Sequence, residues 1–133
     1  MKITILTVGK IKEKYFTDAI KEYTKRLSRY CKLEIIEVAD EKTPDNASEH
    51  EEDLIRQKEG ERLQKYIKEG AYVISLAIEG KQYPSEDFSR KIHNLGLHGE
   101  SHLIFVIGGS IGIDKKILQN SNELLSFSKM TFP

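Results

Sequence analysis

Short apolar runs alternate along this chain with segments in which apolar residues recur every three or four positions. The apolar runs cover residues 2–8, 33–38, 71–78, 102–107 and 123–127. The helical segments cover residues 14–30, 48–70, 86–97 and 114–120. Runs of the first kind are typical of strands, and the second pattern is typical of amphipathic helices. Their regular alternation predicts an α/β fold with a largely parallel sheet flanked by helices, and a single domain over residues 1–133.

Residues at the ends of several segments refine these boundaries. Ser48, followed three residues later by Glu51, is a capping box that opens a long and very polar helix, which Gly70 is expected to end. Ser85 is expected to cap the third helix through its hydroxyl group. Residues 79–82 are expected to form a turn after the third strand.

A glycine-rich loop directly follows the apolar strand at residues 102–107. Gly108, Gly109 and Gly112 allow positive φ angles and let a ligand approach the bare backbone. Their spacing is neither the GxGxxG pattern of dinucleotide-binding folds nor a P-loop, which argues against those two nucleotide-binding classes. Taken alone, the loop is compatible with a tight structural turn or with a ligand-binding loop.

Three segments that end strands are expected to meet if those strands are parallel. They are residues 76–80, 107–112 and 127–132. The carboxyl ends of strands in an open α/β sheet share one edge, and ligands bind there. An adenosyl group needs apolar walls and backbone hydrogen-bonding groups. The walls would come from Leu76, Ile107, Leu125, Phe127 and Met130. The alternative is that these side chains form ordinary core at the strand ends.

Composition argues against several other classes of protein. The net charge is zero, and no apolar run approaches the roughly 20 residues of a membrane span, so we expect no membrane partner. Cys31 is the only cysteine, which excludes an intrachain disulfide and suits a reducing cytoplasm. His93, His98 and His102 have no neighbouring ligands in a metal-binding pattern, so surface or capping histidines are favoured and no metal site is expected.

The charged residues are unevenly distributed along the chain. Residues 1–32 carry nine Lys/Arg and three acidic residues, whereas residues 33–69 carry six basic and twelve acidic residues. A basic end can track RNA phosphates by releasing their counterions. A solvated helix face explains the same pattern, and charge alone favours that interpretation.

Four blocks of sequence together resemble the ribosomal RNA large subunit methyltransferase H family of small SPOUT enzymes. The blocks are the opening MKI and VGK of residues 1–10, LAIEGKQYPSEDF at residues 76–88, FVIGGSIG at residues 105–112 and LSFSKMTFP at residues 125–133. The resemblance covers the whole chain, and the last three blocks in this order are quite specific. It implies that the glycine loop binds a ligand.

By this resemblance the chain is an S-adenosylmethionine-dependent methyltransferase. The implied reaction methylates N3 of a pseudouridine at the subunit interface, in the 23S rRNA of the assembled ribosome. The resemblance further implies a SPOUT-type α/β knot, a homodimer and a cytoplasmic location. The cofactor contacts that it implies are Leu76, Gly108, Phe127, Ser128, Lys129, Met130, Thr131 and Phe132.

One departure from the family concerns the catalytic residues. Family members continue past the proline that matches Pro133, with a segment that threads the knot and carries the expected catalytic His, Arg and Tyr. We therefore assign no catalytic residue within residues 1–133 and expect the knot to be incomplete in this chain. The alternative function is a module that binds an adenosyl ligand or RNA without catalysing a reaction.

Overall fold

A computed structural model of the chain describes residues 1–132. Within that range strands and helices alternate from the first element to the last, as the hydrophobic pattern predicts. The elements are β1 (Lys2–Val8), α1 (Lys14–Leu27), β2 (Lys32–Val38), α2 (Glu49–Gln64), β3 (Tyr72–Lys81), α3 (Ser85–Leu97), β4 (His102–Ile107), α4 (Lys115–Asn120) and β5 (Glu123–Leu125).

The strands form one parallel sheet in the order β2-β1-β4-β3-β5. This confirms the predicted parallel α/β fold. Because all the strands run the same way, their carboxyl ends share one edge of the sheet. The glycine loop after β4 and the segment after β5 therefore lie at the same edge as the end of β3.

Both faces of the central strand β4 are buried. Ile104 and Val106 pack with Leu6 of β1, Leu63 of α2 and Ile117 of α4 on one face. On the opposite face, the alternate residues of β4 pack with Phe88, Ile92 and Leu95 of α3; these residues are Leu103 and Phe105. Side chains alternate across a strand, so a continuous apolar run such as HLIFVI is typical of a strand covered on both sides.

Helix α1 leaves much of its apolar surface exposed to solvent. None of its residues is buried, although its apolar residues follow the predicted stripe. Tyr15 and Tyr23 are 69% and 63% exposed, and Phe16 and Leu27 are 41% and 42% exposed. The helix ends at Leu27, and the basic Lys25 lies in its last turn, where it complements the helix dipole.

The capping box at the start of α2 is confirmed. The backbone N–H of Glu51 donates to the Ser48 hydroxyl over 3.1 Å, and the N–H of Ser48 donates to the Glu51 carboxylate over 3.3 Å. The end of the helix differs from the prediction, because α2 stops at Gln64 and Gly70 lies in the following turn with a φ of +84°.

The predicted turn at residues 79–82 is wrong in its first three positions. β3 continues to Lys81, and Leu125 of β5 pairs both with Leu76 and with Lys81, so the residues between them bulge. The N–H of Ser126 donates to the carbonyl of Lys81 over 2.9 Å, which returns β3 to the ladder after the bulge.

Ser85 does not cap α3, in contrast to the prediction. It is the first helical residue, and Pro84 occupies the cap position without a side-chain hydrogen bond. A proline suits this position, because the N–H that it lacks would have no partner within the helix. The carbonyl of Pro84 accepts from the N–H of Phe88 over 3.0 Å and begins the helical ladder.

Within residues 1–132, no helix is both long enough and apolar enough to cross a membrane.

Candidate functional site

A groove of about 230 Å³ lies where the three strand-terminal segments meet. The segment from β3 contributes Leu76, Ala77 and Ile78. The loop after β4 contributes Ile107, Gly108, Gly109, Gly112 and Ile113, and the chain from the end of β5 contributes Leu125, Ser126, Phe127, Ser128, Met130, Thr131 and Phe132. The predicted convergence of the three segments is therefore present in the fold.

The groove has apolar walls that are open to solvent. Phe127, Met130 and Phe132 are 67%, 72% and 61% exposed, although large apolar side chains favour burial. Leu125 is 2% exposed and closes the floor. Exposed apolar residues gathered around a groove are typical of a ligand-binding site.

The glycine loop is both a tight turn and a wall of the groove. A Cβ atom on Gly108 would lie 2.6 Å from Ile113 Cγ1 and 2.8 Å from the carbonyl carbon of Gly112. The N–H of Gly112 donates to the carbonyl of Gly109 over 3.1 Å, and Gly112 has a φ of +93°. The two interpretations left open by the sequence are thus compatible, because the turn brings bare backbone to the groove.

The bulge in β3 supplies the wall that sequence patterns miss. A Cβ atom on Gly80 would lie 2.6 Å from the carbonyl carbon of Leu124 and 2.7 Å from the nitrogen of Leu125. Only a glycine lets the bulged strand return so close to β5. Ala77 and Ile78, which precede Gly80, line the groove from the bulge.

Local hydrogen bonds order the segment after β5. The hydroxyl of Ser126 donates to the carbonyl of Ser128 over 2.8 Å, and the N–H of Met130 donates to the hydroxyl of Ser128 over 3.0 Å. Serine hydroxyl groups commonly stabilise such turns. The two bonds hold residues 126–130 in a bend along the groove.

Seven of the eight cofactor contacts implied by the resemblance line this groove. They are Leu76, Gly108, Phe127, Ser128, Met130, Thr131 and Phe132. Lys129 is exposed and is not among the lining residues. Their role in binding a cofactor stays a prediction, as does the absence of catalytic residues from the chain.

Among the described residues that line the groove, none carries an ionisable side chain. The polar groups available there are hydroxyl groups of Ser and Thr and the backbone itself. Such a site can hold and orient a ligand, but it offers no side chain to transfer a proton at neutral pH. The groove is therefore suited to binding rather than to acid–base catalysis.

The three neighbouring histidines have separate local roles. The Thr4 hydroxyl and His102 Nε2 are 2.8 Å apart, and His98 Nδ1 lies 2.7 Å from the carbonyl of Asn94. His93 is exposed. Burial lowers the pKa of His102, and the positive charge of Lys2 acts in the same direction. Over residues 1–132, no group of three or more His, Cys, Asp or Glu side chains is arranged to hold a metal ion.

A larger depression of about 450 Å³ lies along α3, and it holds mixed charges. Arg90 there pairs with Asp87, and Lys91 pairs with Glu123 over 2.9 Å. The Glu123 carboxylate also accepts from the hydroxyl groups of Tyr72 and Tyr83. Arg90 and Lys91 are therefore less available to an anionic ligand. Lys81 also lines the depression, and its Nζ lies 4.7 Å from the centre of the Tyr83 ring.

The whole chain, residues 1–133, matches the family described as predicted SPOUT methyltransferases. It is similar to proteins named ribosomal RNA large subunit methyltransferase H. The identity is 63% to the protein of Bifidobacterium adolescentis, 60% to that of Clostridium tetani and 57% to that of Clostridium kluyveri. In each comparison the 133 aligned residues cover 100% of this chain and 84% of the relative.

Proposed function

Because the chain belongs to the SPOUT methyltransferases, in the family of the ribosomal RNA large subunit methyltransferases H, we propose that it methylates 23S rRNA. The proposed donor is S-adenosylmethionine, and the proposed acceptor is N3 of a pseudouridine at the subunit interface of the ribosome. The observation that carries the proposal is the groove at the carboxyl edge of the sheet, which three of the four blocks that carry the resemblance form.

The chemistry of the groove lining supports an adenosyl group as its ligand. Leu76, Ile107 and Met130 offer apolar surface for a purine ring, and the backbone of Gly108 and Ser128 offers hydrogen-bonding groups for its edge. A bound sulfonium donor supplies an already activated methyl group. The protein then has to exclude water and align the acceptor with the methyl carbon, which are tasks for a rigid apolar cradle.

The proton on N3 of the acceptor must leave before or during transfer, and the described lining offers no base for it. We therefore place the proton acceptor outside this lining. The resemblance puts the catalytic side chains after the proline that matches Pro133. We also propose that residues 1–133 act as one domain in the cytoplasm, where ribosomes are found.

Two measurements test this function. Calorimetry is expected to detect binding of S-adenosylmethionine in the groove, with loss of binding in a Met130→Asp variant. Unmodified ribosomes mixed with the protein and methyl-labelled donor are expected to gain label in 23S rRNA. The proposal would be contradicted if the pseudouridine stayed unmethylated after ribosomes were incubated with the donor and a protein of the relatives' full length.

A second candidate is a module that binds an adenosyl ligand or RNA without chemistry. The lack of ionisable side chains in the groove favours this candidate. If this candidate is correct, the protein is expected to bind the donor without transferring the methyl group, and a protein of the relatives' full length is expected to do the same.

We further propose a homodimer that covers the exposed stripe of α1. The support is the set of large apolar side chains that this helix leaves in solvent, including Phe16, Tyr23 and Leu27. Patches of this kind are typical of interfaces between subunits. Analytical ultracentrifugation is expected to give a dimer, and Leu27→Glu is expected to shift it toward monomer. A monomer at all concentrations would contradict this part of the proposal.

A further inference from the structure

One acidic side chain of α2 is buried beside the glycine loop. Glu59 is 4% exposed. Its Oε2 accepts from the backbone N–H of Glu41 over 3.0 Å, whereas its Oε1 is buried and has no hydrogen-bond partner among residues 1–132. Buried carboxyl oxygens usually have partners, because leaving one without any costs free energy. A position that retains such a group invites a functional explanation.

The carboxyl group of Glu59 packs against Gly109. A Cβ atom built on Gly109 would lie 3.2 Å from Oε1, 3.3 Å from Oε2 and 3.3 Å from Val8 Cγ1. Gly109 lines the groove, whereas Glu59 does not. The carboxyl group therefore supports the glycine loop from behind, without contacting the space that a ligand would fill.

Helix α2 joins two loops that follow non-adjacent strands. Arg62 donates to the carbonyl of Ala39 over 2.9 Å, in the loop after β2. Arg56 donates to the carbonyl of Ile111 over 3.0 Å, in the glycine loop. Glu59 lies between these two arginines on the helix and contacts both loops. The helix thus holds the glycine loop at two points and ties it to residues 39–41.

We propose that Glu59 is a positioning residue for the adenosyl groove, which acts by holding Gly109 and the adjoining backbone in place for the ligand. This inference rests on the proposed function. It assigns no chemical step to Glu59. The residue acts on affinity through the glycine loop.

The charges around Glu59 make its effect measurable by pH. Burial is the main cause that raises the pKa of this carboxyl group, and the negative charges of Asp40 and Glu41 raise it further. The hydrogen bond from the Glu41 N–H and the positive charge of Arg62 lower the pKa. The carboxyl group of Asp114, the residue before α4, lies against Gly60, which follows Glu59. When Glu59 ionises, Oε1 becomes a charge that lacks a partner. We expect the contact with Gly109 to loosen at that point.

The decisive experiment is calorimetry with S-adenosylhomocysteine, the demethylated cofactor, across a range of about pH 5 to 8. This probe has no sulfonium charge, so a direct charge effect of Glu59 on the ligand is small. Glu59→Gln keeps the size of the side chain and an oxygen for the Glu41 N–H, but it cannot ionise. Glu59→Ala removes the support. Glu61→Ala is the matched control, because Glu61 is an exposed acid on the same helix.

The wild-type protein is expected to lose affinity as pH rises through the pKa of Glu59, and Glu59→Gln is expected to show no such loss. Glu59→Ala is expected to bind about tenfold more weakly, because it leaves the buried Glu41 N–H without its acceptor and a space behind Gly109. Glu61→Ala is expected to behave as wild type. Equal affinity in wild type and a folded Glu59→Ala, or the same pH profile in wild type and Glu59→Gln, would overturn the inference.

An NMR measurement without ligand keeps this inference separate from the proposed function. The backbone amide resonance of Gly109 is expected to follow the ionisation of Glu59 in wild type and to be independent of pH in Glu59→Gln. If the wild-type protein bound no cofactor, the proposed function would fail, while this titration would still test the contact. The positioning role would be overturned if the amide resonance of Gly109 had the same pH dependence in wild type and in Glu59→Gln.

Discussion

A side chain at position 108 has no space in this fold. The nearest atoms to a Cβ there belong to Ile113 and to the backbone of Gly112, at 2.6 Å and 2.8 Å. Backbone cannot move aside as the end of a flexible side chain can. The glycine is therefore required by the folding of the loop before any ligand is considered.

Replacing this glycine is expected to weaken cofactor binding. Gly108→Val forces the loop open, and overpacking of this kind costs about 1–3 kcal/mol, so we expect affinity to fall about tenfold or more. Calorimetry with S-adenosylmethionine measures the change, and circular dichroism checks that the protein is folded. The exposed Ser110, in the same loop, provides a control as Ser110→Ala. Undiminished affinity in a folded Gly108→Val protein would contradict the placement of the groove.

His102 is expected to make stability depend on pH. Its pKa in the folded protein is lowered from the ordinary 6.5, mainly by burial. The unfolded chain therefore binds the proton more readily, and the free energy of unfolding falls as pH drops through 6.5 toward the lowered value. Urea denaturation at several pH values measures this slope.

His102→Gln is expected to reduce that slope, because glutamine can still bond the Thr4 hydroxyl but does not titrate in this range. His93→Gln is the matched control at an exposed position. An equal slope in wild type and His102→Gln would show that other groups set the pH dependence.

Some site residues follow from sequence and others do not. Leu76, Gly108 and Met130 follow because they lie near the carboxyl ends of apolar runs, and parallel strands gather such positions at one edge. Lys129 was predicted as a cofactor contact only because it lies in a matching sequence block, and its side chain is exposed. The sequence did not indicate that Glu59 is buried, because a glutamate in a very polar helix is expected to be exposed to solvent. Its burial depends on how α2 packs against two distant loops.

Among the strands, β3 differs most from its sequence pattern. Its apolar run predicts a strand that stops before Glu79, yet pairing with β5 resumes at Lys81. Hydrophobic patterns detect the buried part of a strand but not a polar continuation that is held by backbone bonds. Because residues of the bulge line the groove, the wrong prediction for the end of β3 affects one wall of the proposed binding site.

The bulge leads to a prediction for Gly80. A methyl group at this position would meet the backbone of Leu124 and Leu125, so Gly80→Ala is expected to push β5 away from β3. Hydrogen exchange at Ser126 is expected to accelerate, because its N–H loses the carbonyl of Lys81. Gly96→Ala is the control, since its Cβ would meet only the mobile end of Met1 at 3.1 Å. Unchanged exchange at Ser126 in Gly80→Ala would contradict the tight return of the strand.

The capping box gives a prediction at the start of α2. Ser48→Ala removes the acceptor for the N–H of Glu51, and losses of this kind cost about 1 kcal/mol of unfolding free energy. Ser48→Asp restores an acceptor and is expected to recover most of the loss. Urea denaturation compares the three proteins. A Ser48→Ala protein as stable as wild type would show that this helix end adds little to the fold.

Across the whole molecule, the basic residues gather near one end of a neutral chain. The side chains of Lys12, Lys25, Arg26 and Arg29 are exposed and therefore accessible to RNA phosphates. Arg26 also forms an exposed ion pair with Glu22 over 3.1 Å. Reversing these four charges is expected to weaken association with ribosomes and to flatten its salt dependence, by about one unit of slope for each lost phosphate contact. Binding assays over a range of salt concentration measure the slope, and sedimentation checks the assembly state. An unchanged slope would exclude this surface.

The overall architecture was the most predictable property of the chain. Apolar runs of strand length alternate with amphipathic segments, and this order leaves few arrangements other than a parallel sheet. The strand order and the covering of each face depend on packing between distant residues, which a single sequence does not display. The knot and the dimer, which the resemblance implies, stay predictions.

β5 is three residues long and lies at an edge of the sheet, paired only with β3. Short edge strands are among the first parts of a fold to open. Leu125, which ends this strand, is also the floor of the groove. A ligand bound there would therefore stabilise the pairing of β5 with β3, so the proposed cofactor is expected to protect this end of the domain from proteases.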